Sequence, residues 1–356
     1  MKKNILIIHP EFCIRASKQI EGLLTTDNYN ITVITNLKKY GANISSNLRN
    51  EINVMHYPFK PIFFWRYFFK KKIKHMYKNY DLIHCHNEPN YHVKDIIKTV
   101  KNEIPIIYDI HDFTSMRNNK KNRNEAYSYN HSDAIIHVNE NFIKYGNKKY
   151  GEKKCSAIYS TPSKKYVIPI DKKKYDNKSR KLNFVYQGGI FDKSKEMKKI
   201  TPKLIRSYRN YLPYFIEILE EGHNVHLFTG TNPNRLPDYM SLNDKFENFH
   251  FHGKLNYKNL IQKMNEFDYG ITGFNFNDIN TESAKTYLNY AMGNKLFDYI
   301  FSGIVPIVIN ANSMEQFVTK NQCGHIKHSQ ETWTEAVKKP IVDFDNWPNI
   351  IENYCI

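Results

Sequence analysis

Gly293-Asn294-Lys295-Leu296-Phe297-Asp298-Tyr299-Ile300-Phe301-Ser302-Gly303-Ile304-Val305-Pro306-Ile307-Val308-Ile309 decides how the rest of the chain is read. Leu296, Phe297, Ile300 and Phe301 recur at helical spacing, so a short helix with one apolar face is expected. Asn294 is a good N-cap, and Gly303 suits the left-handed turn that ends a helix. Ile304–Ile309 then reads as a strand buried on both faces, as in a parallel sheet. Pro306 sits near its start, where a missing N–H is tolerated. A helix that opens with Asn-Lys offers free backbone N–H groups, the positive end of a dipole and an ammonium group, a combination that suits a phosphate. An ordinary capped helix of an α/β domain would show the same pattern.

Upstream, short apolar runs alternate with helical or polar segments at βαβ spacing: Ile5–Ile8, Ile31–Thr35, Leu82–His84, Ile104–Tyr108, Ala134–Val138 and Ser156–Tyr159. A second series runs through Leu182–Tyr186, Asn224–Phe228, Phe249–Phe251, Tyr269–Thr272 and Val305–Ile309. Ser17–Leu24 fits a first helix. Leu212, Phe215, Ile216 and Leu219 share the face of another that Gly222 stops. The doubling predicts two doubly wound, Rossmann-like domains, 1–165 and 182–340, joined by a polar, lysine-rich linker at 166–181. A closing segment, 341–356, carries a final helix able to pack back on the N-terminal domain. Two such domains facing each other would turn their strand C-termini toward a shared cleft.

With 356 residues the chain is long enough for two domains of ~150 residues each. No apolar run approaches the ~20 residues that span a bilayer, and the opening Ile5–Ile8 run is cut short by His9-Pro10-Glu11, unlike a signal peptide. Five scattered cysteines without a C-x-x-C pair argue for a reducing cytosol. The formal charge of +17 points to an anionic partner such as a nucleotide, a phospholipid or a pyrophosphate-linked lipid. No nucleic-acid-binding module is recognisable. His84-x-His86, with Glu88 and His92 nearby, could chelate a metal at a strand end, but no second cluster stands at ligand spacing. Satisfied polar residues are the simpler reading, so no metal is expected. Phe63–Lys74 mixes aromatics with a cationic run, which fits either an anionic membrane surface or a helix with buried rings and a solvated basic face.

The central stretch resembles the donor-site motif of retaining GT-B glycosyltransferases of the family-4 type, in its N-K-L-F-E-Y variant. The likeness continues in the family's order through Tyr80–Asn87, Ile104–Asp112, Ser132–Glu140, Phe184–Gly189, Leu227–Gly230 and His250–Gly253. Asp298 stands where the family usually has Glu, and Tyr290 where the earlier Glu of its E-x7-E pattern falls. Gly189 replaces a usual arginine, and His9–Arg15 lacks the usual glycine pair.

The resemblance implies a two-domain GT-B enzyme that moves a sugar from a UDP- or GDP-sugar, as co-substrate without a further cofactor, to a saccharide or lipid-linked acceptor. The implied setting is bacterial surface polysaccharide assembly, in the cytoplasm or on the inner face of the plasma membrane. It implies donor contacts from Gly188, Gly189, Lys193 or Lys195, Thr229, Gly230, His252, Gly253, Asn294, Lys295 and Asp298, the last reaching the ribose hydroxyls. His111 would approach the transferred sugar. Asp112, Asn139 and Glu140 could contact sugar hydroxyls, and Arg15 a phosphate. Lys295 would counter the charge that develops on the leaving diphosphate. The rival reading is a catalytically silent GT-B protein that binds nucleotide or an anionic surface.

Overall fold

A computed structural model describes residues 1–176, 180–196, 204–277, 279 and 281–355, without the side chains of 195, 196 and 204–206. The chain divides into two compact units, 1–163 and 164–355.

The first unit is built on a seven-stranded parallel sheet: β1 (Lys3–Ile8), β2 (Tyr29–Thr35), β3 (Asn53–His56), β4 (Leu82–His86), β5 (Ile106–Ile110), β6 (Ala134–His137) and β7 (Cys155–Ala157). Their order is β3-β2-β1-β4-β5-β6-β7. Strands with helices on both faces must be apolar throughout, and Ile5, Leu6, Ile7 and Ile8 are all buried. The helix Asn90–Val100 covers the sheet with Val93, Ile96, Ile97 and Val100, spaced for one helical face. From β1 the chain builds outward to β3, then returns to add β4 on the other side. This reversal puts a switch point between β1 and β4, where side chains at the strand ends meet a crevice.

The second unit repeats the plan with six strands: β8 (Asn183–Gln187), β9 (Asn224–Phe228), β10 (Phe249–Gly253), β11 (Tyr269–Gly273), β12 (Val305–Ile309) and β13 (His325–Ile326). The order β10-β9-β8-β11-β12-β13 puts its switch point between β8 and β11. The core beneath it includes Val185, Phe228, Met264, Phe267, Tyr299 and Ile304.

The central stretch forms the helix Asn294–Phe301 and then β12, whose five residues are all buried between β11 and β13. Leu296, Phe297, Ile300 and Phe301 are buried, and truncating a buried Phe such as Phe301 would cost about 3–5 kcal/mol. Gly303 takes φ +67°, as the turn requires. The start differs by one residue from the reading above. Gly293, with extended backbone, is the cap residue, and the Asn294 side chain makes no capping bond. Asn294 is therefore the first helical residue and Lys295 the second.

The lysine-rich stretch expected as a linker is anchored to the second unit. Tyr175 is buried there; its hydroxyl donates to the Asp268 carbonyl (2.9 Å) and accepts from the Val305 N–H (3.2 Å). The last helix, Trp347–Tyr354, is likewise held there, with Trp347 Nε1 donating to the Ile300 carbonyl at 3.2 Å. Among the described residues no helix is long and apolar enough to cross a membrane.

Candidate functional site

At the switch point of the second unit, β8 ends in Gln187 and the chain turns through Gly188-Gly189. Gly188 adopts φ +120°, and a Cβ there would stand 2.8 Å from Lys295 Cε and 3.4 Å from its ammonium nitrogen. A side chain at 188 would thus be strained in backbone and would displace Lys295. A Cβ on Gly189 would meet Arg209 Nη1 at 3.1 Å. The Lys295 ammonium also lies 5.1 Å from the centroid of the Tyr186 ring, and the Tyr186 hydroxyl closes the turn on the Gly189 carbonyl at 2.9 Å. Two cations thus converge on one glycine turn. The cost shows in Lys295. Burial first, then repulsion from Arg209, lower its pKa to about 8, against a smaller pull from Asp298.

The helix is fixed over this turn by Tyr299, whose hydroxyl accepts from Gln187 N–H (3.1 Å) and donates to the Ile271 carbonyl (3.2 Å). The ring lies across Gly270, where a Cβ would come within 2.3 Å of it. Asp298, one turn into the helix and buried, accepts from Gln187 Nε2 at 3.0 Å and the Tyr257 hydroxyl at 2.8 Å. It therefore orients two polar side chains beside the turn. Asn294 is half-buried at the helix start.

The neighbouring loops bring in the other expected residues. Thr229 N–H donates to the Gly253 carbonyl at 2.8 Å, joining the ends of β9 and β10. The Lys254 stem passes 3.4 Å from where a Cβ on Gly230 would be. His252 stacks on Phe228, with centroids 4.3 Å apart, and contacts His226 Nδ1 at 3.0 Å. Lys193 is exposed, on a short turn of helix after the glycines, while the Lys195 side chain lies outside the described residues.

Sequence reasoning missed Arg209, Gln187 and Tyr257. Arg209 lies twenty residues after Gly189 and reaches the turn because its own carbonyl accepts from Phe191 N–H at 3.1 Å. The only signal was the glycine at a position where an arginine was expected, which leaves room for a guanidinium from elsewhere.

The switch point of the first unit holds a ladder of histidines. His84 and His86 share a face of β4, and their rings stack at 4.5 Å; His9, after β1, stacks on His86 at the same distance. His111, after β5, meets His86 edge-on, its Nε2 2.8 Å from His86 Nδ1. Beneath them Asp109 is fully buried. It accepts from Gln19 Nε2 (2.8 Å) and from Arg15 Nε and Nη2 (both 3.3 Å), and lies 3.2 Å from His84 Nε2.

Arg15, expected to face a phosphate, is buried on this carboxylate and donates to the Ile158 carbonyl at 2.6 Å. Arg15 and the histidines hold the Asp109 pKa well below the carboxylate range, although burial opposes them. Burial, more than any neighbour, lowers the pKa of His9 and His86 and brings His111 to about 4, so these three imidazoles are neutral at physiological pH.

Neutral imidazoles are the metal-ligating form. His9, His86 and His111, or His84, His86 and Asp109, place ligand atoms within 4.8 Å of one another, so these are the residues that could hold an ion. Asn139 is buried and caps the helix Glu140–Tyr150 by accepting from Phe142 N–H at 2.9 Å, whereas Glu140 is exposed and accepts from the Tyr159 hydroxyl. Asp112 lies 3.5 Å from Arg117 Nη1.

No family model and no curated protein matches the chain. Solved structures do. HepE from Anabaena in complex with UDP aligns over 100% of this chain and 96% of its own, with a TM-score of 0.66 and 11% identity. The apo form of the lipopolysaccharide outer core galactosyltransferase WaaB covers 99% and 95%, with a TM-score of 0.61 and 14% identity. The UDP-GlcNAc 2-epimerase from Methanocaldococcus jannaschii covers 99% of each chain, with a TM-score of 0.55 and 12% identity. At such identities the likeness establishes architecture: the chain has the GT-B fold, with two doubly wound α/β domains.

Proposed function

We propose that the chain is a glycosyltransferase. It takes a sugar from a nucleotide-sugar donor, UDP- or GDP-linked, and passes it to a saccharide or lipid-linked acceptor with retention of anomeric configuration. One observation carries the reading: Lys295 and Arg209 converge above the Gly188-Gly189 turn at a switch point, and among the described residues neither has a carboxylate ion-pair partner. Lys295 and Arg209 repel each other with only a smaller opposing pull from Asp298 on Lys295, so an anion between them is favoured, and a diphosphate fits the backbone approach that glycines allow. Asp298, Gln187 and Tyr257 form the polar rim.

In this reading the bond between the anomeric carbon and the diphosphate oxygen breaks, and negative charge grows on that oxygen. Lys295 and Arg209 favour the charged state over the ground state. The acceptor hydroxyl oxygen bonds to the anomeric carbon on the same face, and its proton passes to the departing diphosphate. No carboxylate base and no protein-bound metal are needed. His111 is the group proposed to meet the transferred sugar, as a neutral imidazole. The proposed setting is bacterial surface glycoconjugate assembly at the cytoplasmic membrane face.

The test is to incubate the protein with UDP-, GDP-, ADP-, TDP- and CMP-sugars, with and without saccharide acceptors, and to follow nucleotide release and product configuration. Acceptor-dependent release supports transfer. Nucleotide binding without release identifies the catalytically silent alternative, and a 2-epimer formed without acceptor identifies an epimerase.

A further inference from the structure

Within residues 52–80 the chain carries seven Lys or Arg and no Asp or Glu. The helix Phe63–Met76 occupies the middle of this segment. Its inward face is committed: Phe69 and Ile73 are buried, and Phe69 packs against Tyr57 and Phe59 with centroids about 5 Å apart. Arg66 donates to both Asp95 oxygens at 2.7 and 2.8 Å, and Lys70 lies 3.4 Å from the same carboxylate. These residues hold the helix to the unit.

Its outer face is different. Phe63 is 85% exposed, Phe64 59%, Tyr67 55% and Phe68 40%, and Ile62 just before the helix is 60% exposed. At about 100° per residue, Phe63, Phe64, Tyr67 and Phe68 share an arc of roughly 140° with Lys71 and Lys74, both exposed. The first two turns of one solvent-facing stripe are therefore aromatic and the next two are cationic. Single exposed apolar residues are ordinary, but four adjacent rings on one face form a contiguous patch of the kind that marks an interaction site.

We propose that this stripe docks on an anionic phospholipid bilayer. The exposed rings enter the interface, where aromatic side chains sit well, and Lys71 and Lys74 lie over the headgroups. Charge selects this occupant. Every charge between residues 52 and 80 is positive, so a second copy presenting the same stripe would meet it with like charge, whereas an anionic lipid surface complements it. The inference deepens the proposed membrane setting. Its test contains neither nucleotide nor acceptor, so its failure would leave the donor site untouched.

The full chain is sedimented with vesicles of phosphatidylcholine alone and of phosphatidylcholine with phosphatidylglycerol. Wild type is expected to pellet with the anionic vesicles and much less with the neutral ones. Lys71→Gln with Lys74→Gln should weaken that binding about 30-fold, at roughly five-fold per lysine. Phe63→Ala with Phe64→Ala and Phe68→Ala should abolish it. Should the triple variant fold poorly, Phe63→Asp alone changes the most exposed ring and is expected to reduce pelleting strongly at unchanged melting temperature. Equal pelleting with neutral and anionic vesicles would overturn the proposal, as would variants that pellet like wild type. So would a wild-type dimer that the aromatic variants dissociate, because a second copy would then cover the stripe.

Discussion

Lys295 should take up a proton when a nucleoside diphosphate binds. Its folded-state pKa of about 8 lies below the ordinary lysine value because burial and Arg209 disfavour the ammonium form. At pH 8 the side chain is therefore about half protonated in the free protein. A diphosphate beside it reverses the balance and raises the pKa, so binding at pH 8 should draw in about half a proton from solution. At pH 6.5 the lysine is already charged and its uptake should vanish. The ligand does not confuse the reading at pH 8, since a terminal phosphate with a pKa of about 6 is already ionised. Calorimetric titration of UDP or GDP at pH 8 in buffers of different ionisation enthalpy measures the uptake directly.

The same shift has a stability consequence. Below pH 8 the ammonium is charged in both folded and unfolded chains, and the folded one bears a cost of up to about 3 kcal/mol. Between about pH 8 and 10.5 the unfolded chain binds more protons, so stability attributable to this group rises with pH. Lys295→Met at pH 7 should accordingly melt no lower than wild type, and up to a few degrees higher. It should lose the proton uptake and about 10²–10³ in turnover. Lys295→Arg should recover part of the turnover, with imperfect geometry. No uptake in wild type at pH 8, or undiminished uptake in Lys295→Met, would exclude Lys295 as the group that meets the diphosphate.

Arg209→Ala should weaken nucleoside diphosphate binding about 10- to 100-fold by loss of a charge-assisted contact, measured by titration, and should move the Lys295 titration upward. Asp298→Ala leaves the Gln187 amide and the Tyr257 hydroxyl without their acceptor. It should cost about 1–3 kcal/mol in urea unfolding, and no change in the urea midpoint would contradict the assigned bonds. His92 and His137, both with pKa lowered to about 4 chiefly by burial, bind fewer protons folded than unfolded between about pH 6.5 and 4. Stability should therefore fall as pH drops through that window, by up to about 3 kcal/mol for each, and a flat profile of urea midpoint against pH would exclude it.

Most of the strand series was legible because strands of a parallel sheet are buried on both faces and so read as unbroken apolar runs. Ile5–Ile8 and Val305–Ile309 are of this kind. The strands that escaped were at sheet edges. Asn53–His56 is half exposed and polar at both ends, and His325–Ile326 is two residues long, so neither carries enough apolar signal. The strand expected at Ile104–Tyr108 begins instead at Ile106, after Pro105, which has no N–H to give a ladder.

In the proposed donor cluster, the glycines and the Asn-Lys helix start fall beside one turn, and both are readable from sequence because backbone geometry is local. Arg209 could not be found that way. It arrives from twenty residues along the chain, and a contact between distant segments leaves no periodic trace. The role of Arg15 was opaque for the same reason: a cation two residues after Cys13 looks available until Asp109, 94 residues later, is seen beneath it.

Gly188-Gly189, Lys295 and Arg209 are proposed to bind the donor diphosphate together. Titration of UDP and GDP, with EDTA present, into wild type and into a folded Lys295→Ala, Arg209→Ala double variant tests it most directly. Wild type is expected to bind one nucleotide per chain in EDTA, and the double variant at least about 100-fold more weakly. Equal affinity of the two proteins, or loss of wild-type binding in EDTA, would contradict it.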